Sequence, residues 1–255
     1  MIFDAHAHYD DSAFDIDRDT ILTDMFNSDV VGIVNSATDK KSQLFGIEYS
    51  EKFAKMYTTI GYHPTECLEE NMSKNYIEEM AQLLKHKKAI AIGEIGLDYY
   101  WDTVPKEQQL KIFEEQIILA KDLDMPIVVH DRDAHLDTLN LLKKHKPKGF
   151  VHCFSGSVEF SREIVKLGMS ISIGGVLTFK NARHSVDVIK DISLDRVLLE
   201  TDAPYMTPVP FRGKRCNSSM IKYVAEKISE IKGINIQDVY KINIENAQQI
   251  YDIEI

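Results

Sequence analysis

A chain of 255 residues, 44% hydrophobic and 27% charged, has the composition of an ordinary globular protein and about the length of one (β/α)8 barrel. Its three cysteines, Cys67, Cys153 and Cys216, show no CxxC spacing, which argues against a disulfide framework or a thiolate zinc site and fits a reducing compartment. The net charge of −10 argues against a general polyanion binder: a nucleic-acid substrate would require locally concentrated cations and help from metal ions.

At the N-terminus, Asp4, His6, His8, Asp10 and Asp11 stand where a signal peptide needs an apolar stretch, and nowhere do 18 apolar residues run together. The expectation is a cytoplasmic protein. Short β-branched runs then alternate with longer amphipathic stretches. The strands are expected at Met1–Asp4, Val30–Asn35, Met56–Gly61, Ala89–Gly93, Ile127–His130, Gly149–Cys153, Ser170–Gly174 and Val197–Glu200. Their nearly continuous apolar character, as in Ile127-Val128-Val129, suits parallel strands covered on both faces. Helical periodicity marks Asn75–Lys85, Pro105–Leu123, Ala134–Lys144, Val158–Leu167, Ala182–Lys190, Ser219–Lys232 and Ile236–Tyr251. Pro105 suits a first helical turn, and Leu110, Phe113, Ile117 and Ala120 follow at 3–4 spacing. Strand–helix alternation implies right-handed crossovers and a parallel sheet. Eight such units give a single (β/α)8 barrel domain over residues 1–255, with an open doubly wound sheet as the structural alternative.

Polar residues cluster at the strand ends. His6 and His8, two apart on a strand, share a face. Strand 3 leads into Gly61-Tyr62-His63-Pro64 and strand 4 into Gly93-Glu94-Ile95-Gly96-Leu97-Asp98. Strand 5 ends at His130, strand 6 at His152, and strand 8 runs into Glu200-Thr201-Asp202. In a barrel these ends gather at one mouth, where active sites of this fold lie. A lone histidine after an apolar strand is more often a core residue, and Glu94 or Asp202 alone could cap a helix. Four histidines and two carboxylates together (His6, His8, His130, His152, Glu94, Asp202) are different. Such a concentration of buried titratable groups calls for metal. It exceeds the three protein ligands usual for one catalytic ion, and divides naturally between two divalent ions sharing a carboxylate, with Zn2+ or Mn2+ suiting the donors better than Mg2+.

Around this set, Arg132 suits a phosphate contact, with an ion pair to Asp131 or Asp133 as its plain alternative. Arg212, Lys214 and Arg215 form a cationic loop after strand 8. Lys180 follows Gly174-Gly175 in the loop after strand 7, a common phosphate-binding position in barrels. Tyr99, Tyr100 and Trp101 could stack on a base or cover the upper core, with Trp101 the better base contact. Cys153, next to His152 on a strand, is expected to point toward the helices as a packing residue.

The segments Phe3-Asp4-Ala5-His6-Ala7-His8, Gly61-Tyr62-His63-Pro64, Gly93-Glu94-Ile95-Gly96-Leu97-Asp98-Tyr99, His152-Cys153-Phe154-Ser155-Gly156 and Glu200-Thr201-Asp202-Ala203-Pro204-Tyr205 resemble, in order and over essentially the whole chain, the TatD family of metal-dependent deoxyribonucleases. The resemblance implies a two-metal phosphodiesterase using Mg2+, Mn2+ or Zn2+. It implies that His6 and His8 hold one ion with Asp202, that His130 and His152 hold the other, and that Glu94 bridges. It further implies that Asp202 orients or deprotonates the attacking water and that His63 stands near the scissile phosphate. The chain departs from the family pattern at Gly213-Lys214-Arg215-Cys216-Asn217-Ser218-Ser219, which lacks the usual Glu-Pro, and at Asp131, where a small, hydroxyl or cysteine residue is common. The expected function is cleavage of DNA phosphodiester bonds from single-stranded or frayed ends. One alternative is an amide or ester hydrolase acting on a small molecule or an aminoacyl-tRNA through the same centre. The other is a non-catalytic, metal-stabilised nucleic-acid-binding or scaffold protein.

Overall fold

The computed structural model describes residues 1–255, the side chain of Asn71 excepted. The strands are β1 (Ile2–Ala7), β2 (Val30–Asn35), β3 (Met56–Ile60), β4 (Ala89–Asp98), β5 (Ile127–Arg132), β6 (Gly149–Val151), β7 (Ser170–Ile173) and β8 (Val197–Leu199). They form one parallel sheet in the order β1 to β8, each paired with its sequence neighbour. An open doubly wound sheet would break that order, so the structure is the barrel. The ring is drawn together between the first and last strands at the mouth end. There Asp202 N donates to His6 O at 3.0 Å and His8 N to Ala203 O at 2.7 Å. Buried Asp4 reinforces the seam by accepting from Thr201 N at 3.0 Å and Thr201 Oγ1 at 2.5 Å.

The helices on the outside are α1 (Arg18–Phe26), α2 (Lys40–Lys52), α3 (Tyr76–Leu83), α4 (Lys106–Asp122), α5 (His135–His145), α6 (Val158–Lys166), α7 (Arg183–Asp191), α8 (Ile221–Lys232) and α9 (Ile236–Tyr251). Among the described residues no helix is long and apolar enough to cross a membrane. One apolar cluster fills the layer between helices and sheet. A second joins Phe3, Val34, Val128, Phe150 and Leu198 to Ala247 and Tyr251 of α9. Val128 and Phe150 precede His130 and His152 by two residues and so share their face. This second cluster is therefore the floor of the site. Tyr251 packs 6.4 Å from the Phe3 ring and 5.9 Å from that of Phe150, and donates to Ala5 O at 2.7 Å.

Strand β4 runs five residues beyond the expected Ala89–Gly93, so Glu94 and Asp98 are held on a strand rather than a loop. This extension pairs Gly96 with His130. Gly96 has φ +149°, and a β-carbon there would fall 1.9 Å from His130 O. Only glycine permits β4 to approach the histidine strand so closely.

Candidate metal centre

The strand ends bring all six expected ligands together, and Glu94 is their centre. Its Oε2 lies 3.2 Å from His6 Nε2 and 3.4 Å from His8 Nε2. Its Oε1 lies 2.8 Å from both His130 Nδ1 and His152 Nε2, and 3.4 Å from His63 Nε2. Asp202 Oδ1 completes the first side, 3.6 Å from His6 Nε2 and 3.3 Å from His8 Nε2. Oε2 thus faces the imidazoles of His6 and His8, and Oε1 those of His130 and His152 with His63 slightly farther away.

Residues outside the ligand set orient the rings. His8 Nδ1 donates to the Ser36 carbonyl at 2.9 Å, which turns Nε2 toward Glu94 and Asp202. The Ser36 hydroxyl bonds His6 Nδ1 at 2.9 Å, so one residue at the end of β2 fixes both histidines of β1. Asp98 Oδ2 lies 3.0 Å from His130 Nε2, and its Oδ1 accepts from Tyr100 N and Trp101 N, each at 3.0 Å. That arrangement sets the proton on Nε2, frees Nδ1 toward Glu94, and shapes the turn carrying Trp101. The sequence places Asp98 in a motif but does not reveal this role, and it gives no sign of Ser36. Glu200 also serves the frame: its carboxylate accepts from Cys153 N at 2.7 Å and Ser172 Oγ at 2.5 Å.

The electrostatics follow from burying many imidazoles around few anions. Burial resists ionisation of Glu94, but the charges of His152, His63 and His6 hold its carboxyl well below the usual range. Burial opposes the proton on His8, yet the Asp202 bond and the charges of Glu94 and Asp202 push it up to about 9. His152 is likewise raised, with the charge of Glu94 overriding burial. Burial and the charge of His130 push His63 down to about 4, so it is neutral at physiological pH. The cluster balances itself with protons.

These residues fit divalent metal. Candidate ligand atoms of His6, His8 and Glu94, and separately of Glu94, His130 and His152, lie within 4.8 Å of one another. His152 Nδ1 is buried without a hydrogen-bond partner, 3.8 Å from Glu200 Oε1. An imidazole so loosely tethered on one nitrogen and crowded on the other suits coordination through Nε2. Asp98→Asn is expected to lower metal affinity about 10–100-fold, the usual cost of removing a ligand's orienting partner. Metal titration of the two proteins measures this, and an unchanged affinity would refute the orienting role.

The mouth cavity, about 710 Å3, is lined by His8, His63, Glu94, His130, His152 and Asp202, with Trp101 and Arg132 on its wall. Asp10, Asp11, Glu66 and Asp98 also face it, and Arg132 is the one arginine or lysine among its lining residues. Arg132 pairs with neither Asp131 nor Asp133: its guanidinium lies over the Tyr100 ring at 3.9 Å and 5.7 Å from that of Trp101. The Asp131 side chain turns inward and bonds His135 Nδ1 at 2.7 Å, away from the mouth. Tyr99 packs outward, donating to Asp137 Oδ2 at 2.9 Å.

Three expected substrate contacts lie elsewhere. Lys180 borders a separate surface groove with Arg183, Lys190 and Lys227. Arg212 stacks on Phe179 at 3.9 Å, and the Lys214 ammonium lies 5.5 Å from the Phe211 ring. None of the three lines the mouth. Arg215 is taken up by a paired contact with Asp17, at 2.8 and 2.6 Å. The loop without Glu-Pro is anchored instead by Ser218, whose hydroxyl lies 2.8 Å from the Tyr9 hydroxyl. Cys153 contradicts its expected orientation. Strand β6 ends at Val151, Cys153 turns through φ +42°, and its side chain faces a cavity beside the mouth rather than the helices.

A parallel barrel with imidazoles and carboxylates converging at its C-terminal mouth defines a class, the metal-dependent hydrolases. The model of the TatD-related DNases matches residues 3–252. The chain belongs to this family. It is 40% identical over 256 residues to the uncharacterized metal-dependent hydrolase YabD of Bacillus subtilis (strain 168), covering 99% of this chain and 100% of that protein. It is 31% identical over 261 residues to the uncharacterized metal-dependent hydrolase YcfH of Escherichia coli (strain K12), covering 100% and 97% respectively. The crystal structure of YJJV, a TatD homologue from Escherichia coli k12, superposes with a TM-score of 0.92 at 30% identity, over 99% of this chain and 98% of that one.

Proposed function

We propose that this metal-dependent hydrolase is a deoxyribonuclease that removes nucleotides from single-stranded or frayed DNA ends through a two-metal centre. The observation that carries the reading is Glu94, each of whose oxygens faces a separate histidine pair. His6, His8 and Asp202 would hold one ion, His130 and His152 the other, and Glu94 would touch both. When bound, such a pair supplies Lewis acidity toward a phosphoryl oxygen and makes a water nucleophilic at neutral pH. Asp202, ionised and open to the mouth, accepts the proton of the attacking water at a carboxylate oxygen. The water oxygen bonds to phosphorus, the bond to the leaving sugar oxygen breaks, and that oxygen is protonated from solvent. His63, neutral, donates a hydrogen bond to the phosphate. Trp101, 52% exposed on the wall, offers a stacking face. Lys180, Arg212 and Lys214 would meet only chain lying outside the mouth.

An acidic mouth with a single guanidinium makes Arg132 the principal protein cation for the phosphate. Arg132→Ala is expected to lower kcat/KM at least about tenfold, mainly through KM, since a charged hydrogen bond is worth about 1.5–3 kcal/mol. Steady-state rates on short oligonucleotides decide this, and an unchanged KM would remove Arg132 from the substrate path.

The function itself is tested with end-labelled single- and double-stranded DNA, chelated protein, and Mg2+, Mn2+ or Zn2+ added back. Stepwise shortening restored by an ion is the expected result. Intact DNA in the presence of protein shown to carry metal would overturn the nuclease reading and direct attention to ester or amide substrates of the same centre.

A further inference from the structure

A second cavity, about 270 Å3, adjoins the mouth between the ends of β5, β6 and β7. His130, Arg132, His152, Asp202 and Met206 line both cavities, so the slot opens directly onto the expected metal ligands. The imidazoles and the Asp202 carboxylate are shared with the mouth, whereas Phe154, Ile173, Val176 and Leu177 line the slot alone, with Asp131, Ser155 and Ser185 beside them. Two features create the slot: the turn at Cys153 carries the chain away from β6, and the 3-10 turn Gly175–Thr178 closes the far side.

Phe154, Ile173 and Leu177 are nearly buried, so the apolar surface the slot offers beside the polar mouth is chiefly that of Met206 and Val176, and it gains free energy when a ligand covers it. The ligand must carry an anionic or polar end at the imidazoles and a flat, weakly hydrated body beyond them. The volume lies just below the usual range for small-molecule sites, about 300–1,000 Å3. That admits one nucleoside-sized group and leaves no room for a base pair. Arg132 stands at the junction, its guanidinium over the Tyr100 ring at 3.9 Å, and a guanidinium packed on an aromatic ring still has N–H donors for an anion.

We propose that this slot receives the base of the terminal, unpaired nucleotide, with its phosphate between Arg132 and the metal-binding residues. The assignment rests on the nuclease reading and deepens it, because the slot then demands an unpaired end. The Met206 thioether contacts one face of the base, and Val176 sets the depth available.

Titration calorimetry with metal-supplied protein tests the slot without turnover. Deoxynucleoside 5′-monophosphates are expected to bind about tenfold more tightly than deoxyribose 5-phosphate, the effect of covering one base face. Val176→Trp, which fills the slot, should remove this difference while leaving deoxyribose 5-phosphate binding in place. Met206 is 39% exposed, so Met206→Ala disturbs no core and should reduce the difference even where the tryptophan variant does not fold. Equal binding of the two ligands by the unaltered protein overturns the slot, as does full discrimination by folded Val176→Trp. Uncut DNA with discrimination intact would remove the nuclease reading and keep the slot; cut DNA without discrimination would do the reverse.

Discussion

Glu94→Gln is expected to reduce hydrolysis by more than about 100-fold and to reduce bound metal, while the protein remains folded. Losing a group that merely orients a ligand typically costs about 10–100-fold. Glu94 contacts both halves of the cluster, so its loss must exceed that range. The amide keeps the shape of the carboxylate but offers one neutral acceptor and one donor, and its donor would face an imidazole pair that needs an anion. The fold survives because the same residue maintains the protonation of its neighbours. With the anion gone, His152 loses the largest charge that raises it against burial while His130 keeps its bond to Asp98, so the cluster can lower its positive charge by releasing protons instead of holding unpaired buried cations. Metal analysis, circular dichroism and rate measurement on one preparation separate these effects. Full metal content and an undiminished rate in Glu94→Gln would remove Glu94 from the centre.

The sequence disclosed the barrel because central parallel strands must be apolar on both faces, and a histidine or carboxylate ending such a run is conspicuous. All six expected ligands meet at the mouth for that reason. Helix α2 was invisible for the opposite reason. Its buried residues are Ser42, Gln43, Gly46 and Ser50, so no apolar stripe marks its inner face. It packs so closely on β3 that a β-carbon at Gly46 would fall 1.9 Å from Thr58 Oγ1, and Gln43 spends its amide on the Gly61 carbonyl at 2.9 Å. Helix α1, with only Leu22 and Met25 buried, is similarly faint. Cys153 was misassigned because strand alternation was carried two residues past the end of β6. Lys180, Arg212 and Lys214 show that position after a strand does not fix where a long side chain on a loop will lie. Ser36 was beyond sequence reasoning, since its value comes from two histidines on a neighbouring strand.

Metal affinity is expected to rise with pH through the neutral range, because protons occupy the places that ions would take. His8 is raised to about 9, so at pH 7 it carries a proton that must leave before Nε2 can ligate. His130 and His152 are raised as well. His6 is lowered and His63 lies at about 4, so neither has a proton to lose there. The sign follows: falling pH favours the protonated, metal-free protein, and each displaced proton adds about one unit of log apparent affinity per pH unit below the group's pKa. The dependence on His8 should flatten above about pH 9. Metal-free protein is nevertheless expected to stay folded near neutrality. The raised His8 contributes stability that is full below its unfolded value and lost as pH rises through about 9. The lowered Glu94 contributes stability present above its unfolded value and lost in acid. Added metal should therefore raise Tm more at pH 8 than at pH 6, because stabilisation scales with ligand concentration over Kd. Calorimetry in buffers of different ionisation enthalpy would count the released protons. Proton release near zero, with affinity level from pH 6 to pH 8, would mean that the imidazoles surrounding Glu94 are already neutral and that no charge exchange accompanies metal uptake.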